Sequence, residues 1–466
     1  MKKVHMMIGI PGSGKSTYAK ELAKEKGYKI ISTDIVRLEN PGIKEEDVWP
    51  KVYWMIAEEL KSKDDVIYDA TNITKKVRDR FKDNLNKYLS EYELIGYFLP
   101  TNHTICVERV HKRNQISDIK IPLEVITSYG QSVYPPTYEE NFKESKVISQ
   151  LNDLIYDIVD DAYQGYALYY KDNSKIIEEY SGFTNINTNS PIRQNTNFRL
   201  ASVTKQFIGY GILSLVKENK LSLDDKLYDL FENMPEYAKT ITIRNMLNHT
   251  SGLLNYEDME HTDEQIHDID VLNYIRNTDE QYFETGLKYQ YSNTAYVILG
   301  LIIEKASGMI LNDYLTKVIF KPLDMQNTMM NIEPVTDVPN RAYGHVKTNN
   351  KLVIKDQYWC SATLGDGGLY SSIDDLKKWL KHIQELDDFY KQLYETHIIN
   401  NVDIEYGMGL RNKKVNNHEL IYHCGSSIGT NTVIGFVKDL NIEFILLTNC
   451  NDRSASRFID KLSKIL

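Results

Sequence analysis

The sequence predicts two domains of different class. Residues 1–148 read as an α/β domain with a three-layer parallel sheet. Residues 149–466 read as an α+β domain with an antiparallel sheet and a helical region. Three observations carry this. The chain has 466 residues, more than one core usually supports. Its first third alternates short apolar runs with helical stretches, the pattern of a parallel sheet covered on both faces. From about residue 151, two hairpin patterns flank a long helical and loop-rich stretch.

The elements follow in order. HMMIGI reads as a strand, and Lys15 to Lys26 as a helix with Tyr18, Ala19, Leu22 and Ala23 on one face and Gly27 as its stop. YKIIS, VIYDA and ELIGYFL are further strands. Around 135–150 the pattern breaks at Pro135, Pro136 and the polar stretch YEENFKESK, which marks a domain edge. GYALYY, the turn KDNS and KIIEEYSGF then form a hairpin. The chain closes with NTVIGF, a KDLN turn, EFILLTN and a helix from about Ser454. Strands at the two ends of this domain are expected to pair in one sheet.

Composition excludes several classes. Hydrophobic residues make up 42% and charged residues 26%, as in ordinary globular proteins, which rules out collagen, a long coiled coil and wholesale disorder. The longest apolar run, Ala295 to Ile303, is about half the length of a membrane helix. The first residues, MKKVHMMIGIPGSGKS, do not read as a secretory signal. Cys106, Cys360, Cys424 and Cys450 lie far apart with no CxxC pair, against a disulfide framework or structural zinc. A cytoplasmic protein without a membrane partner is expected. The net charge of −10 is uneven: 24 basic against 22 acidic residues up to 148, then 31 against 43. The acidic part is a poor candidate for nucleic acid.

Gly9-Ile10-Pro11-Gly12-Ser13-Gly14-Lys15-Ser16 fits GxxxxGK[ST] between a strand and a helix. Glycines let backbone N–H groups curl round phosphate oxygens, and the helix N-terminus favours negative charge. Gly9, Gly12, Ser13, Gly14, Lys15, Ser16 and Thr17 are the candidate cradle, with Lys15 reaching the β- and γ-phosphates of ATP and Ser16 ligating Mg²⁺. Asp34, ending ISTD, is either a base for an acceptor hydroxyl or a helix N-cap. Asp69 is either part of the magnesium shell or a turn carboxylate. Arg109 and Arg113 share a helix face, where either neutralises phosphoryl charge or simply faces solvent.

GIPGSGKST, the strand ending in Asp34 with Arg37 after it, VIYDATN, and ERVHKRN followed by IPLEVI resemble the kinase domain of phage polynucleotide kinase and related small kinases of the P-loop NTPase class. The resemblance covers about 145 residues. It implies Asp34 as general base, Arg37 positioning the acceptor end, Arg113 on the ATP phosphates, and Asp69 at the second acidic position.

Ser202-Val203-Thr204-Lys205 opens an apolar helical stretch, so the hydroxyl and the amine share a face. A serine needs a base, and burial would lower the Lys205 pKa enough to supply one. Tyr291-Ser292-Asn293 and His423-Cys424-Gly425 complete a three-motif order. With LSLDDKL, MLNHTSGL, GLIIEKASG and GGLYSSIDDLKKWL, these stretches resemble the serine β-lactamase and penicillin-binding-protein family, in its class C and esterase-like branch with Y-x-N. The resemblance implies Ser202 as acylated nucleophile, Lys205 as its base, and Tyr291 as proton shuttle. It further implies Asn293 on the acyl side, His423 and Gly425 along the edge strand, and an oxyanion hole of the Ser202 and Ser426 N–H groups. His423 stands where many members have lysine, which argues against a β-lactam role. Cys424 has no base of its own.

The leading expectation is a kinase fused to a serine hydrolase, each acting on small molecules, with oligomeric state left open. One alternative is a hydrolase with a nucleotide-sensing module. Another is phosphorylation of nucleic-acid 5′ ends, which the overall acidity disfavours.

Overall fold

The computed structural model describes residues 2–466 except 63–64, 102, 117–119, 150, 152–153, 155–157, 159–163, 332–337 and 350. The chain divides into two compact units, Met1–Tyr166 with Ile177–Arg193, and Ala167–Ile176 with Gln194–Leu466. The division passes through a hairpin. Among the described residues no single helix is long and apolar enough to cross a membrane.

The first unit runs β1 (Lys3–Ile8), α1 (Lys15–Lys26), β2 (Lys29–Ile31), α2 (Thr33–Glu39), α3 (Glu45–Ser62), β3 (Val66–Tyr68), α4 (Lys75–Leu85), β4 (Glu93–Phe98), α5 (His103–Ile116), α6 (Leu123–Ser132) and β5 (Glu144–Val147). Its parallel sheet has the order β2-β3-β1-β4-β5. The central strand β1 is buried on both faces, which is why it reads as a continuous apolar run. Val4, Met6 and Ile8 pack on one side with Ile56, Tyr68 and Phe81. Met7 packs on the other with Ala19 and Leu22 of α1. Gly27 ends α1 at φ +75°, as the stop signal predicts. The stretch read as a mere domain edge contains β5, which completes the sheet beside β4. A fully buried ion pair, Arg78 Nε to Glu140 Oε2 at 2.6 Å, ties α4 to the chain before β5.

The second fold is built from β6 (Tyr166–Lys171), β7 (Ile176–Ser181), β8 (Phe198–Arg199), α7 (Lys205–Lys217), α8 (Asn293–Ser307), β9 (Leu369–Ser371), α9 (Ile373–Gln384), β10 (Arg411–Val415), β11 (His418–Ser427), β12 (Thr430–Val437), β13 (Ile442–Thr448) and α10 (Ser454–Ile465), and the long connections after α7 and α8 carry further short helices and strands. The main sheet has the order β10-β11-β12-β13-β6-β7. First and last strands of the domain are thus neighbours, as expected. Every residue of β12 is buried, because α9 and α10 lie against the sheet through Leu376, Trp379 and Leu380 and through Phe458, Ile459 and Leu462. Helices α7 and α8 are buried almost all round, which explains their unbroken apolar sequence.

Candidate active sites

The phosphate loop links β1 to α1. Gly12 has φ +87° and Gly14 φ +99°, and a Cβ on Gly12 would stand 2.7 Å from the Cys106 carbonyl oxygen. No side chain caps α1. The Thr17 and Tyr18 N–H groups close the first turn on the Gly14 carbonyl at 3.0 Å, and the loop before it bends as an anion cradle requires. Two contacts hold the VIYDATN segment to this loop: the Gly9 N–H donates to the Thr71 carbonyl at 2.9 Å, and Asn72 Nδ2 to the Met7 carbonyl at 2.9 Å. Asp69 is thereby set close enough to act on Lys15. The Lys15 ammonium donates to the Ile10 carbonyl at 2.9 Å. Burial pushes its pKa down to about 8, and the Arg113 charge adds to the fall while Asp69 opposes it.

A cavity of about 550 Å³ joins Gly12, Gly14, Lys15, Ser16 and Thr17 to Asp34, Asp69, Arg109, Arg113 and Trp49. Of the residues singled out in the sequence, Gly9 and Ser13 lie in the loop behind it, Ser13 with a buried hydroxyl that lacks a partner. The helix cap after β2 is Ser32, whose Oγ accepts from the Ile35 N–H at 3.1 Å. Asp34 is therefore not the cap, and its carboxylate stands exposed in the first turn of α2. Arg37 donates to Asp34 Oδ1 at 3.3 Å and grips Glu45 at 2.6 and 3.2 Å. Glu45 and Trp49 were not singled out in the sequence; no local pattern marks an i,i+4 Glu–Trp pair as a site. Among the described residues no cluster of three His, Cys, Asp or Glu side chains is arranged for a metal. Ser16 and Asp69 line the cavity as a hydroxyl and a carboxylate, a donor set that suits a hydrated Mg²⁺.

The second site is tighter. Ser202 lies in a 3₁₀ turn, Ala201–Thr204, that runs into α7 at Lys205. Ala201, just before it, holds φ +48°, a strained value for a residue with a Cβ. The strand β11 fixes this turn. A Cβ on Gly425 would stand 2.1 Å from the Leu200 carbonyl oxygen, so only glycine admits the approach. Thr432 Oγ1 donates to that carbonyl at 2.7 Å, and Thr430 Oγ1 to the Arg199 carbonyl at 3.1 Å. Ser426 follows Gly425 on β11, exposed, its hydroxyl taking a bond from Asn431 Nδ2.

Lys205 is fully buried. Its Nζ lies 3.1 Å from Ser202 Oγ, 2.8 Å from Asn293 Oδ1 and 2.7 Å from the Asp366 carbonyl oxygen. Asn293 Nδ2 donates to Glu257, which settles the orientation of the amide. Burial pushes the Lys205 pKa down to about 8, against the pull of Asp366 and Glu257. Two of the three partners only accept hydrogen bonds. The two hydrogens of a neutral amine therefore go to Asn293 and Asp366, and its lone pair is left for the Ser202 hydroxyl. Asp366 itself accepts from the Tyr256 hydroxyl at 2.8 Å.

Tyr291 spreads its ring 5.0 Å from the Lys205 ammonium. Its hydroxyl is buried beside the Ser202 side chain. Burial raises the phenol pKa, and the nearby Ser202 side chain and Arg411 guanidinium pull it down. Behind it, the His249 ring lies 4.3 Å from the Tyr291 ring and 4.5 Å from the Tyr406 ring. His249 Nδ1 accepts from the Ser292 N–H at 3.1 Å. His423 Nδ1 donates to the Cys424 carbonyl at 2.7 Å, so its Nε2 accepts from the Tyr406 hydroxyl at 3.0 Å. Both nitrogens are occupied, and burial drives the His423 pKa well below the usual imidazole value. The ring is neutral. Burial pushes the Cys424 thiol up to about 12, which keeps it from being a thiolate. Glu257, Asp366, Tyr406 and Arg411 were missed in the sequence: none carries a motif of its own, and each meets the Ser202 and Lys205 pair only through folding.

Comparison with known proteins matches both domains. Residues 151–465 match the beta-lactamase family model, and residues 4–136 match an AAA domain model. The chain is 29% identical over 291 residues to penicillin-binding protein 4* of Bacillus subtilis, 58% of this chain and 64% of that protein. It is 24% identical over 311 residues to protein flp of Staphylococcus aureus strain N315, 63% of this chain and 61% of that protein. The chain thus spans somewhat under two thirds of the length of these curated relatives. Its fold is similar to D-amino acid amidase of Ochrobactrum anthropi SV3, with a TM-score of 0.58 and 23% identity over 68% of this chain and 97% of that one. It is also similar to the octameric penicillin-binding protein homologue of Pyrococcus abyssi, with a TM-score of 0.57 and 24% identity over 67% and 75%.

Proposed function

Because the chain belongs to the beta-lactamase family, through a serine-hydrolase domain over residues 151–465, we propose that it is a cytoplasmic enzyme with two heads. One cleaves a small ester or amide through an acyl-enzyme, and the other is an ATP-dependent kinase of a small hydroxyl compound. The observation that carries the first is the buried Lys205 amine set between Ser202, Asn293 and the Asp366 carbonyl.

In acylation, the Lys205 lone pair takes the Ser202 proton as Oγ bonds to the substrate carbonyl carbon. The carbonyl oxygen becomes an oxyanion held by the Ser202 and Ser426 N–H groups, where one lost donor costs about 3 kcal/mol. Collapse breaks the bond to the leaving group, which takes a proton from the Tyr291 hydroxyl. The Lys205 ammonium then returns a proton to the phenolate. Water attacks the ester by the same route and releases the acid and free Ser202. The neutral, fully engaged His423 offers no charge to a carboxylate at that place, so cephalosporins should be poor substrates and p-nitrophenyl esters good ones. A fluorophosphonate should add one label, on the peptide carrying Ser202, and none to Ser202→Ala. A folded wild type that takes no label and cleaves no ester would sink this reading.

The kinase head is supported by the loop geometry and by the AAA domain match. When bound, ATP with Mg²⁺ supplies the phosphoryl group. Gly12 to Ser16 would cradle the phosphates, Lys15 and Arg113 would offset their charge, and Ser16 with Asp69 would hold the metal. Asp34 takes the proton of the acceptor hydroxyl, and Arg37 sets Asp34 in place. A metabolite pool incubated with ATP, comparing wild type with Lys15→Ala by mass spectrometry, tests this. A phosphorylated product that forms equally with both proteins would overturn it.

A further inference from the structure

The Asp34 end of the first cavity carries one side chain that phosphoryl transfer does not require. Trp49 lines the cavity with its indole 40% exposed. Exposed tryptophan is not unusual in itself, and Trp54, on the same helix, is 44% exposed. The two are handled differently. The Trp54 ring is covered by the Lys51 ammonium, 4.4 Å from its centroid, and it does not line the cavity. Among the described residues, Trp49 is contacted by one ring, that of Tyr53, at 6.3 Å and 29°.

Its placement is built. Arg37 of α2 grips Glu45 in the first turn of α3 while also reaching Asp34. Glu45 and Trp49 are four residues apart and share a face of α3, and Trp49 lines the same cavity as Asp34. From below, Tyr53 is buried and meets Phe81 edge-on at 5.8 Å, and Phe81 stacks on Tyr68 of β3 at 4.5 Å. The indole is thus the outer rung of an aromatic ladder rooted in the core, one residue from Asp69. The other groups at this end are Ser32, Thr33 and Thr71, which are polar and small.

We propose that Trp49 is the specificity-determining residue of the acceptor end. It stacks a flat aromatic or heteroaromatic ring whose attached hydroxyl reaches Asp34. This rests on the kinase reading above. A stack of this kind is tolerant of ring identity and rejects compounds with no π-face. A free small molecule and the end of a nucleic-acid strand both offer the chemistry, and the test separates them.

The full chain is titrated with uridine, guanosine and benzyl alcohol, with myo-inositol and sorbitol, and with a 5′-hydroxyl oligonucleotide. Each titration is run with and without a non-hydrolysable ATP analogue and Mg²⁺, reading tryptophan fluorescence. Ring compounds should quench wild type and Trp54→Phe but not Trp49→Ala, which should bind them at least tenfold more weakly, and Trp49→Phe should retain most of the affinity. Quenching by the free ring compounds at lower concentration than by the oligonucleotide assigns a small acceptor; the reverse order assigns a strand end. Polyols that bind as well as ring compounds, or ring binding unchanged in Trp49→Ala, would overturn the proposal. So would quenching of Trp49 by the ATP analogue alone, which would put the adenine on it. Binding of the analogue is measured separately by calorimetry. Its absence would remove the kinase reading, whereas its presence without ring discrimination would remove this inference alone.

Discussion

Lys15 and Lys205 begin alike: each is buried, and burial pushes each pKa down to about 8. Their surroundings make opposite use of that. Among the described residues Lys15 has one hydrogen-bond partner, the Ile10 carbonyl, and it opens on a cavity lined by arginines, hydroxyls and carboxylates. Lys205 has three partners and walls of tyrosine and histidine rings. A lysine with donors to spare beside a phosphate cradle holds its charge more firmly when an anion arrives. A lysine whose donors are already spent on obligate acceptors keeps a lone pair for the neighbouring hydroxyl. On the proposed function, the same perturbation thus prepares one amine to bind and the other to act as a base.

The contrast can be broken most sharply at Ser202. Ser202→Ala should lower ester hydrolysis by at least about 10³-fold, the scale on which a lost nucleophile is felt, while ATP binding by calorimetry stays as in wild type. Next is Asp34→Asn, which should lower phosphoryl transfer roughly 10²–10⁴-fold with ATP affinity nearly unchanged. Loss of ATP binding instead would make Asp34 part of the metal shell. Third, hydrolysis needs Lys205 uncharged. Its pKa lies below the usual lysine value, so kcat/KM for a p-nitrophenyl ester should climb about tenfold per unit below pH 8 and level above it. A flat profile between pH 6 and 9 would mean that Lys205 is not the base. The smallest effect is at Lys15. Phosphate binding raises its pKa from about 8, so a proton is taken up on binding. ATP affinity should then fall as pH rises through 8, by less than tenfold per unit. Calorimetry in buffers of different ionisation enthalpy reads that proton, and its absence would show that Lys15 is already charged in the free protein.

What was legible in the sequence was local. Lys15 to Lys26 could be read as a helix from its face and its Gly27 stop, and Ser202 with Lys205 from a three-residue spacing, because helix geometry alone sets those neighbours. β5 escaped notice because ESKV, with alternate side chains exposed, lacks the apolar run of the inner strands. Asp34 as a possible cap was undone by Ser32, two residues earlier, a competition that spacing alone does not rank. His423 could be read as neutral in the sequence, but that both its nitrogens are taken depends on Tyr406, 17 residues away on another segment.

The residue types and their order along the chain determined which chemistry each half can perform: a phosphate loop before a helix, and a serine and lysine on one turn. Both are short-range, and the backbone geometry that they need is encoded within a few residues. The protonation states, and the far walls of both sites, were decided by tertiary structure. The base role proposed for Lys205 depends on the Asp366 carbonyl, 161 positions away, and on Asn293, 88 positions away, which take its hydrogens inside a buried pocket. Trp49 reached the first cavity because α3 packs on α2, the helix that carries Asp34. Desolvation and hydrogen-bond competition depend on what surrounds a group in space, and only the folded chain supplies those surroundings.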